Sequence, residues 1–105
     1  MAAPKLTRVV ASFSCTATGN QTIQLEALRG SKVVLYFYPK DATPGCTTEG
    51  QEFRDLHAEF RQQNAVVFGV SRDPLASHEK FREKHGFPFE LLADTDEKLC
   101  RQFDV

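Results

Sequence analysis

Tryptophan is absent from the 105 residues, so an aromatic-filled core must be built from the nine phenylalanines. Charge of neither sign is in excess: 13 basic residues face 14 acidic ones for a net charge of −1. With no basic stripe along the chain, that balance excludes an electrostatic nucleic-acid footprint. No apolar run approaches the length of a membrane span, and the opening Met-Ala-Ala-Pro-Lys-Leu lacks the apolar core of a signal peptide. Cysteine is scarce. Cys15, Cys46 and Cys100 are widely spaced and contain no C-x-x-C pair, which excludes a disulfide framework and fits a reducing, cytoplasmic setting. Repeats, low-complexity stretches and linkers are lacking too, so residues 1–105 read as a single domain with one core.

What is present is concentrated in residues 33–50. Residues 33–38, Val-Val-Leu-Tyr-Phe-Tyr, form an unbroken apolar and aromatic run. A run without polar alternation predicts a strand buried on both faces, as in a parallel sheet. Pro39 ends it, because proline cannot donate to the ladder. Thr43-Pro44 then opens a helix, threonine suiting the N-cap and proline the first helical position. Cys46 therefore falls in the first helical turn, where unpaired N–H groups and the positive end of the dipole favour a thiolate. The competing reading of Cys46 is a buried structural thiol.

The rest of the chain is read in order. Residues 1–8 form a loosely held arm. Residues 12–17 and 21–25 are strands around a turn at Thr18-Gly19-Asn20, and residues 25–29 make one helical turn before Gly30. The Cys46 helix runs to about Gln62, with Phe53, Leu56 and Phe60 as one apolar stripe facing the sheet, and Asn64 closes it in the left-handed conformation. Residues 65–70 are a second apolar strand, completing a βαβ unit with parallel strands. Asp73 caps and Pro74 opens a further helix to about His85, with Leu75 and Phe81 on its buried side and Gly86 as its stop. Phe87-Pro88-Phe89 is extended. Residues 90–93 form a third strand, and Asp94 or Asp96 caps a last helix with Leu99, Cys100 and Phe103 on one side. The expected architecture is a small α/β sheet with helices on its faces. The chain stops at Val105, where another element would be expected to begin.

The chemistry lies in the spacing Pro39, Thr43, Cys46, a P-x-x-x-T-x-x-C pattern. Pro39 can shield a thiolate from water, and the Thr43 hydroxyl lies within reach of the sulfur, able to hold a polar substrate atom. Backbone N–H groups supply further donors. Such a pocket suits an O–O bond: the thiolate attacks one oxygen while donors stabilise charge on the other. Cys46 would become a sulfenic acid, which a second thiol must reduce.

The stretch Tyr-Phe-Tyr-Pro-Lys-Asp-Ala-Thr-Pro-Gly-Cys-Thr-Thr-Glu (residues 36–49) closely resembles the peroxiredoxin Q family, also called bacterioferritin comigratory proteins. Phe53-Arg54-Asp55, Gly69-Val70-Ser71-Arg72-Asp73 and Leu91-Leu92-Ala93-Asp94 resemble its later segments. The resemblance implies a thioredoxin-like peroxiredoxin fold and thiol-dependent reduction of hydrogen peroxide and organic hydroperoxides. It also implies no cofactor, and thioredoxin, glutaredoxin or glutathione as reductant of a monomer or weak dimer. Cys46 would be the peroxidatic cysteine, Thr43 and Pro39 would shape its pocket, and Glu49 matches a glutamate that orients an active-site arginine. Two departures stand out. Gln51 occupies the place where many members carry a resolving cysteine, and the catalytic arginine is expected beyond Val105. The chain thus resembles the N-terminal part of a peroxiredoxin, truncated at its C-terminal end.

Other chemistry-bearing residues carry two readings each. Cys100 is either the resolver of Cys46, which requires the Cys46 helix to unwind, or core packing beside Leu99 and Phe103. Cys15 is structural. His57 lies about 16 Å along a helix from Cys46, too far for a dyad. His78 and His85 sit on one helix without an evident third metal ligand, so no metal is expected there. Lys40 and Arg72 either add positive potential near the pocket or are plain surface charge, and Tyr36 and Phe37 are core residues. Two other functions compete with a peroxidase. One is thiol–disulfide exchange, against which the missing C-x-x-C tells. The other is a catalytically incomplete interaction or structural fragment, which would expose an apolar edge and self-associate.

Overall fold

Strand β4 (Ala65–Ser71) is buried along its whole length except for half-buried Val66, as its unbroken run of small and apolar residues demands. It is flanked on both sides in parallel. Strand β3 (Lys32–Phe37) pairs with it from Lys32 opposite Ala65 to Phe37 opposite Val70. Strand β5 (Glu90–Ala93) pairs from Phe68 opposite Glu90 to Ser71 opposite Ala93. Beyond β5 lies a hairpin of β1 (Ser14–Ala17) and β2 (Gln21–Gln24), antiparallel and joined to β5 at Ala17–Leu92. The sheet order is β2-β1-β5-β4-β3. These are the features of a computed structural model that describes residues 10–103 and 105. The arm expected over residues 1–8 lies outside the described residues.

Period-two alternation splits the core into two layers. Val34, Tyr36, Tyr38, Val67 and Leu91 face one side of the sheet. That side is covered by helices α1 (Pro44–Asp55), α2 (His57–Gln62) and α3 (Leu75–His85). Val33, Leu35, Phe37, Phe68, Val70 and Leu92 face the other. There they meet a 3₁₀ turn (Leu25–Leu28) and helix α4 (Lys98–Phe103). Phe81, Phe87 and Phe89 are each at most 4% exposed, and burying one such side chain contributes roughly 1.5–3 kcal/mol.

Four expectations need correction. The run at 33–38 was expected to be buried on both faces. Yet β3 is the outer strand of the described sheet, and only Tyr36 within it is buried. The expected continuous helix to Gln62 breaks at Leu56 (φ −95°, ψ 3°) into α1 and α2. The break turns Leu56 outward, 45% exposed, and His57 takes its place against Phe89 with ring centroids 6.3 Å apart. Residues 53, 57 and 60 step by four and three where 53, 56 and 60 step by three and four, both helical spacings, so periodicity alone could not choose between them. Finally, α3 begins at Leu75 with Pro74 at its N-cap, and Asp73 turns its carboxylate away from the helix.

Other boundaries are as expected. Asn64 (φ 57°) ends α2, and Gly86 (φ 61°) ends α3 in the left-handed region, with Phe87 N–H donating to Arg82 O. Asp94 and Asp96 both serve α4. Buried Asp94 accepts from the N–H groups of Leu99 (2.9 Å) and Cys100 (3.0 Å), and Asp96 from that of Lys98 (3.1 Å).

Candidate active site

Chain direction builds the site. β3 delivers the chain to the C-terminal edge of the sheet, a loop over residues 38–43 reverses it, and Pro44 opens α1 with Cys46 as its third residue. Cys46 is a free thiol, 7% exposed, at the end of an apolar cluster with Tyr36, Tyr38 and Phe87. Its depth follows from Gly50, one turn along α1, where a Cβ would stand 2.5 Å from Cζ of Phe87. Only glycine lets the helix come this close. Thr47 N–H closes the first helical bond on Thr43 O at 2.9 Å, which leaves the N–H groups of Gly45 and Cys46 without an intrahelical acceptor and free to donate to a bound anion.

Thr43 stands at the N-cap in extended conformation, but its hydroxyl does not cap the helix; it donates to Lys40 O at 2.9 Å. That spends its proton and leaves its lone pairs to accept from a ligand. Pro39 is exposed. With Arg72 and Cys100 it borders a cavity of about 310 Å³ at the ends of β3 and β4, whose lining does not include Cys46. Glu49 is exposed, one turn after Cys46. Desolvation, then the charge of Glu52, holds its carboxyl above the ordinary value.

The loop between Pro39 and Thr43 is anchored by a residue that the sequence reading passed over. Asp41 is buried, and its carboxylate accepts from Tyr38 Oη (2.6 Å), Ser77 Oγ (2.8 Å) and His78 Nδ1 (2.7 Å). Its own N–H donates to Asp73 Oδ2 at 2.8 Å, which is where the expected helix cap is used instead. Burial works to raise the Asp41 carboxyl, but the bonds from His78, Tyr38 and Ser77 outweigh it and hold it below the ordinary value. Tyr38 moves the other way, pushed up by burial and then by its bond to Asp41. The next residue, Ala42, sits at φ 63°, a left-handed conformation that costs a non-glycine residue roughly 1–2 kcal/mol.

Asp41, Asp73 and His78 are also the one group among the described residues whose ligand atoms lie close enough to hold a metal ion, within 4.8 Å of one another. Asp41 Oδ2 and His78 Nδ1 are already bonded to each other, and Asp73 Oδ2 accepts from the N–H of Asp41 and from Ser71 Oγ. His78 belongs to this cluster, and His85 instead packs on Phe81 and Phe87. Position 78 was legible as a core position, three residues after Leu75 and three before Phe81. Its partner was not.

The remaining candidates lie apart. Cys100 is a free, half-buried thiol on α4, across the sheet from α1, and desolvation followed by its hydrogen bond with Asp94 raises it. Cys15 is raised to about 11 by burial, then by Asp94 and Asp96. His57 is lowered by desolvation and then by Arg61. Arg72 pairs with Glu97 at 3.3 Å on the surface. Tyr36 is core as expected, its ring stacked on Phe53 at 4.3 Å, yet its buried hydroxyl has no partner among the described residues. Among the described residues no helix is long and apolar enough to cross a membrane.

This arrangement has known counterparts. The AhpC/TSA family profile matches residues 6–105. Peroxiredoxin Bcp of Xanthomonas campestris is 55% identical over 87 residues, covering 83% of this chain and 54% of that protein. The bacterioferritin comigratory protein of the same organism, described for its alkyl peroxide reduction activity, superposes with a TM-score of 0.87 at 48% identity. That match covers 89% of this chain and 59% of the other. Peroxidoxin BcpB from Mycobacterium tuberculosis superposes with a TM-score of 0.92 at 38% identity, covering 98% of this chain and 68% of the other. The chain spans about half the length of curated relatives such as peroxiredoxin Bcp, 54% of the X. campestris protein and 54% of that of Bacillus subtilis. The profile match, the sequence identities and the superpositions together make it a member of the AhpC/TSA family with a thioredoxin-like fold, on its peroxiredoxin Bcp/Q branch.

Proposed function

We propose that this protein is a thiol-dependent peroxidase acting on hydrogen peroxide and organic hydroperoxides, with Cys46 as its nucleophile. The observation that carries the reading is the placement of Cys46 in the first turn of α1, behind the Pro39–Thr43 loop and almost out of water. The Cys46 thiolate attacks one peroxide oxygen and the O–O bond breaks. The leaving oxygen departs as an alkoxide or hydroxide that takes up a proton, and Cys46 is left as a sulfenic acid. Free N–H groups of the first turn steady the negative charge as it develops. The Thr43 oxygen accepts from the hydroperoxide O–H, Pro39 shapes the pocket with it, and Glu49 orients an active-site arginine. One external thiol condenses with the sulfenic acid, releasing water and forming a mixed disulfide. A second thiol then regenerates Cys46 and leaves as the reductant's disulfide. Thioredoxin, glutaredoxin or glutathione is the reductant in a cytoplasmic setting, and no cofactor takes part. The alkyl peroxide reduction activity described for the X. campestris relative supports an organic hydroperoxide as substrate.

The test is to treat the intact protein with one equivalent of hydrogen peroxide in the presence of a sulfenic-acid trap and to map the adduct. The expected adduct is on Cys46. Peroxide consumption should vanish in Cys46→Ser and persist in Cys15→Ser and Cys100→Ser. Continued turnover by Cys46→Ser would end this reading. A loss of two hydrogens mapped to Cys46 and Cys100 would instead make Cys100 the resolver.

A further inference from the structure

We propose that the Asp41–His78 pair is a latch that sets how often the first turn of α1 opens, and so governs the reductive half of the reaction; this rests on the peroxidase reading above. His78 is fully buried, and both its ring nitrogens face acceptors: Nδ1 meets Asp41 Oδ2 at 2.7 Å and Nε2 meets Leu92 O at 2.9 Å. A carbonyl oxygen can only accept, so Nε2 donates to it. The short Nδ1 contact is then a proton shared between ring and carboxylate, a charge-assisted bond in a dry setting. One loop residue, Asp41, is thereby tied to the end of β3 through Tyr38. It is tied to α3 through Ser77 and His78, to β5 through the far side of the His78 ring, and by its N–H to Asp73.

Stability alone does not call for such a group. A buried charge pair gains little over apolar residues of the same size, so its value lies in fixing one arrangement. The arrangement it fixes is local: Asp41 and Thr43 are each held, and Ala42 between them is kept in its left-handed conformation. Cys46 follows three residues later. With 7% of its surface exposed, it can admit a small hydroperoxide but not the thiol of a protein reductant, so the first turn must open before that step. Asp41 and His78 touch neither partner and act as positioning residues. Weakening the latch raises the open population in proportion, while the closed form, still dominant, continues to meet peroxide.

The experiment compares the intact wild-type protein with Asp41→Asn in three readings: amide hydrogen exchange, the rate of Cys46 sulfenic-acid formation, and the rate of its reduction by thioredoxin, a protein thiol. Exchange in a peptide covering residues 40–50 should quicken roughly tenfold, the worth of one charge-assisted hydrogen bond, with β4 unchanged. Reduction should quicken by the same factor, while the peroxide step changes by less than about twofold. Ser77→Ala, which removes one neutral donor, should shift exchange and reduction the same way by about fivefold, and it decides the matter if Asp41→Asn does not fold. Unaltered or slower reduction, or exchange that quickens equally in β4, would overturn the latch. Were wild type to form no sulfenic acid at Cys46, the peroxidase reading would fail alone. The exchange comparison would still judge the latch, and unaltered exchange in residues 40–50 would overturn it.

Discussion

Gly50→Ala should destabilise this protein, although alanine is the better helix former. In an exposed helix interior the exchange gains about 1 kcal/mol. Here the new Cβ would stand 2.5 Å from Cζ of Phe87 and 3.1 Å from both Cε atoms, closer than carbon atoms approach without displacement. The Phe87 ring cannot swing aside. It is stacked on Phe89 at 5.2 Å, meets Phe81 edge-on at 5.1 Å and lies over His85 at 5.6 Å. Overpacking of a filled core costs roughly 1–3 kcal/mol; an approach this short to a boxed-in ring puts the cost in the upper part of that range, about 2–3 kcal/mol, so the net loss should be about 1–2 kcal/mol. Urea unfolding of wild type, Gly50→Ala, Phe87→Leu and the double variant measures this directly. The two changes should be less costly together than their sum, because the smaller side chain makes room for the methyl. Gly50→Ala that is more stable than wild type, or strict additivity in the cycle, would refute the argument that this close approach sets the depth of Cys46.

Asp94→Ala should cost about 2–4 kcal/mol, since it leaves one buried and one part-buried backbone N–H group at the start of α4 without acceptors; a urea midpoint within error of wild type would contradict it. Tyr36→Phe removes a buried hydroxyl that lacks a partner among the described residues, and should leave stability unchanged or raise it by up to about 1 kcal/mol. A lower melting temperature would mean the hydroxyl is bonded after all. Asp41 has a folded-state carboxyl below the ordinary 3.8, so the unfolded chain takes up its proton first. Its contribution is therefore complete above about pH 4 and is lost as pH falls through the folded-state value. The stability gap between wild type and Asp41→Asn should accordingly narrow on acidification from pH 5 to pH 3, and a constant gap would show that the carboxylate is not held as drawn.

Much of the fold could be read from local chemistry. The runs at 33–38 and 65–70, the proline at position 44 and the stops at Asn64 and Gly86 each act within a few residues. The corresponding elements lie within a residue or two of where they were expected. The place of Cys46 at a helix start was legible for the same reason. The errors have a common cause, which is competition between equivalent local patterns settled at a distance. Residues 53, 56 and 60 and residues 53, 57 and 60 both make a stripe, and Phe89, far along the chain, takes His57. Asp73 before Pro74 is a good cap, but the N–H of Asp41 claims its carboxylate first.

Asp41 and His78 show why the supporting half of the site escaped. Asp41 alone is a residue that ordinarily avoids the interior, so nothing local marks it for burial, and position 78, though spaced as a core position between Leu75 and Phe81, carries no sign of the partner its ring would need. Together each supplies what makes the other's burial tolerable: the ring gives the carboxylate a donor, and the carboxylate gives the second ring nitrogen an acceptor. They are 37 residues apart, joined only once β3, β4 and β5 lie side by side and α3 packs on their face. Cys46 stands out because a helix start is a local object. The Asp41–His78 pair is visible only when the sheet has closed, and it is there that variants with altered turnover and unaltered motif residues should be sought.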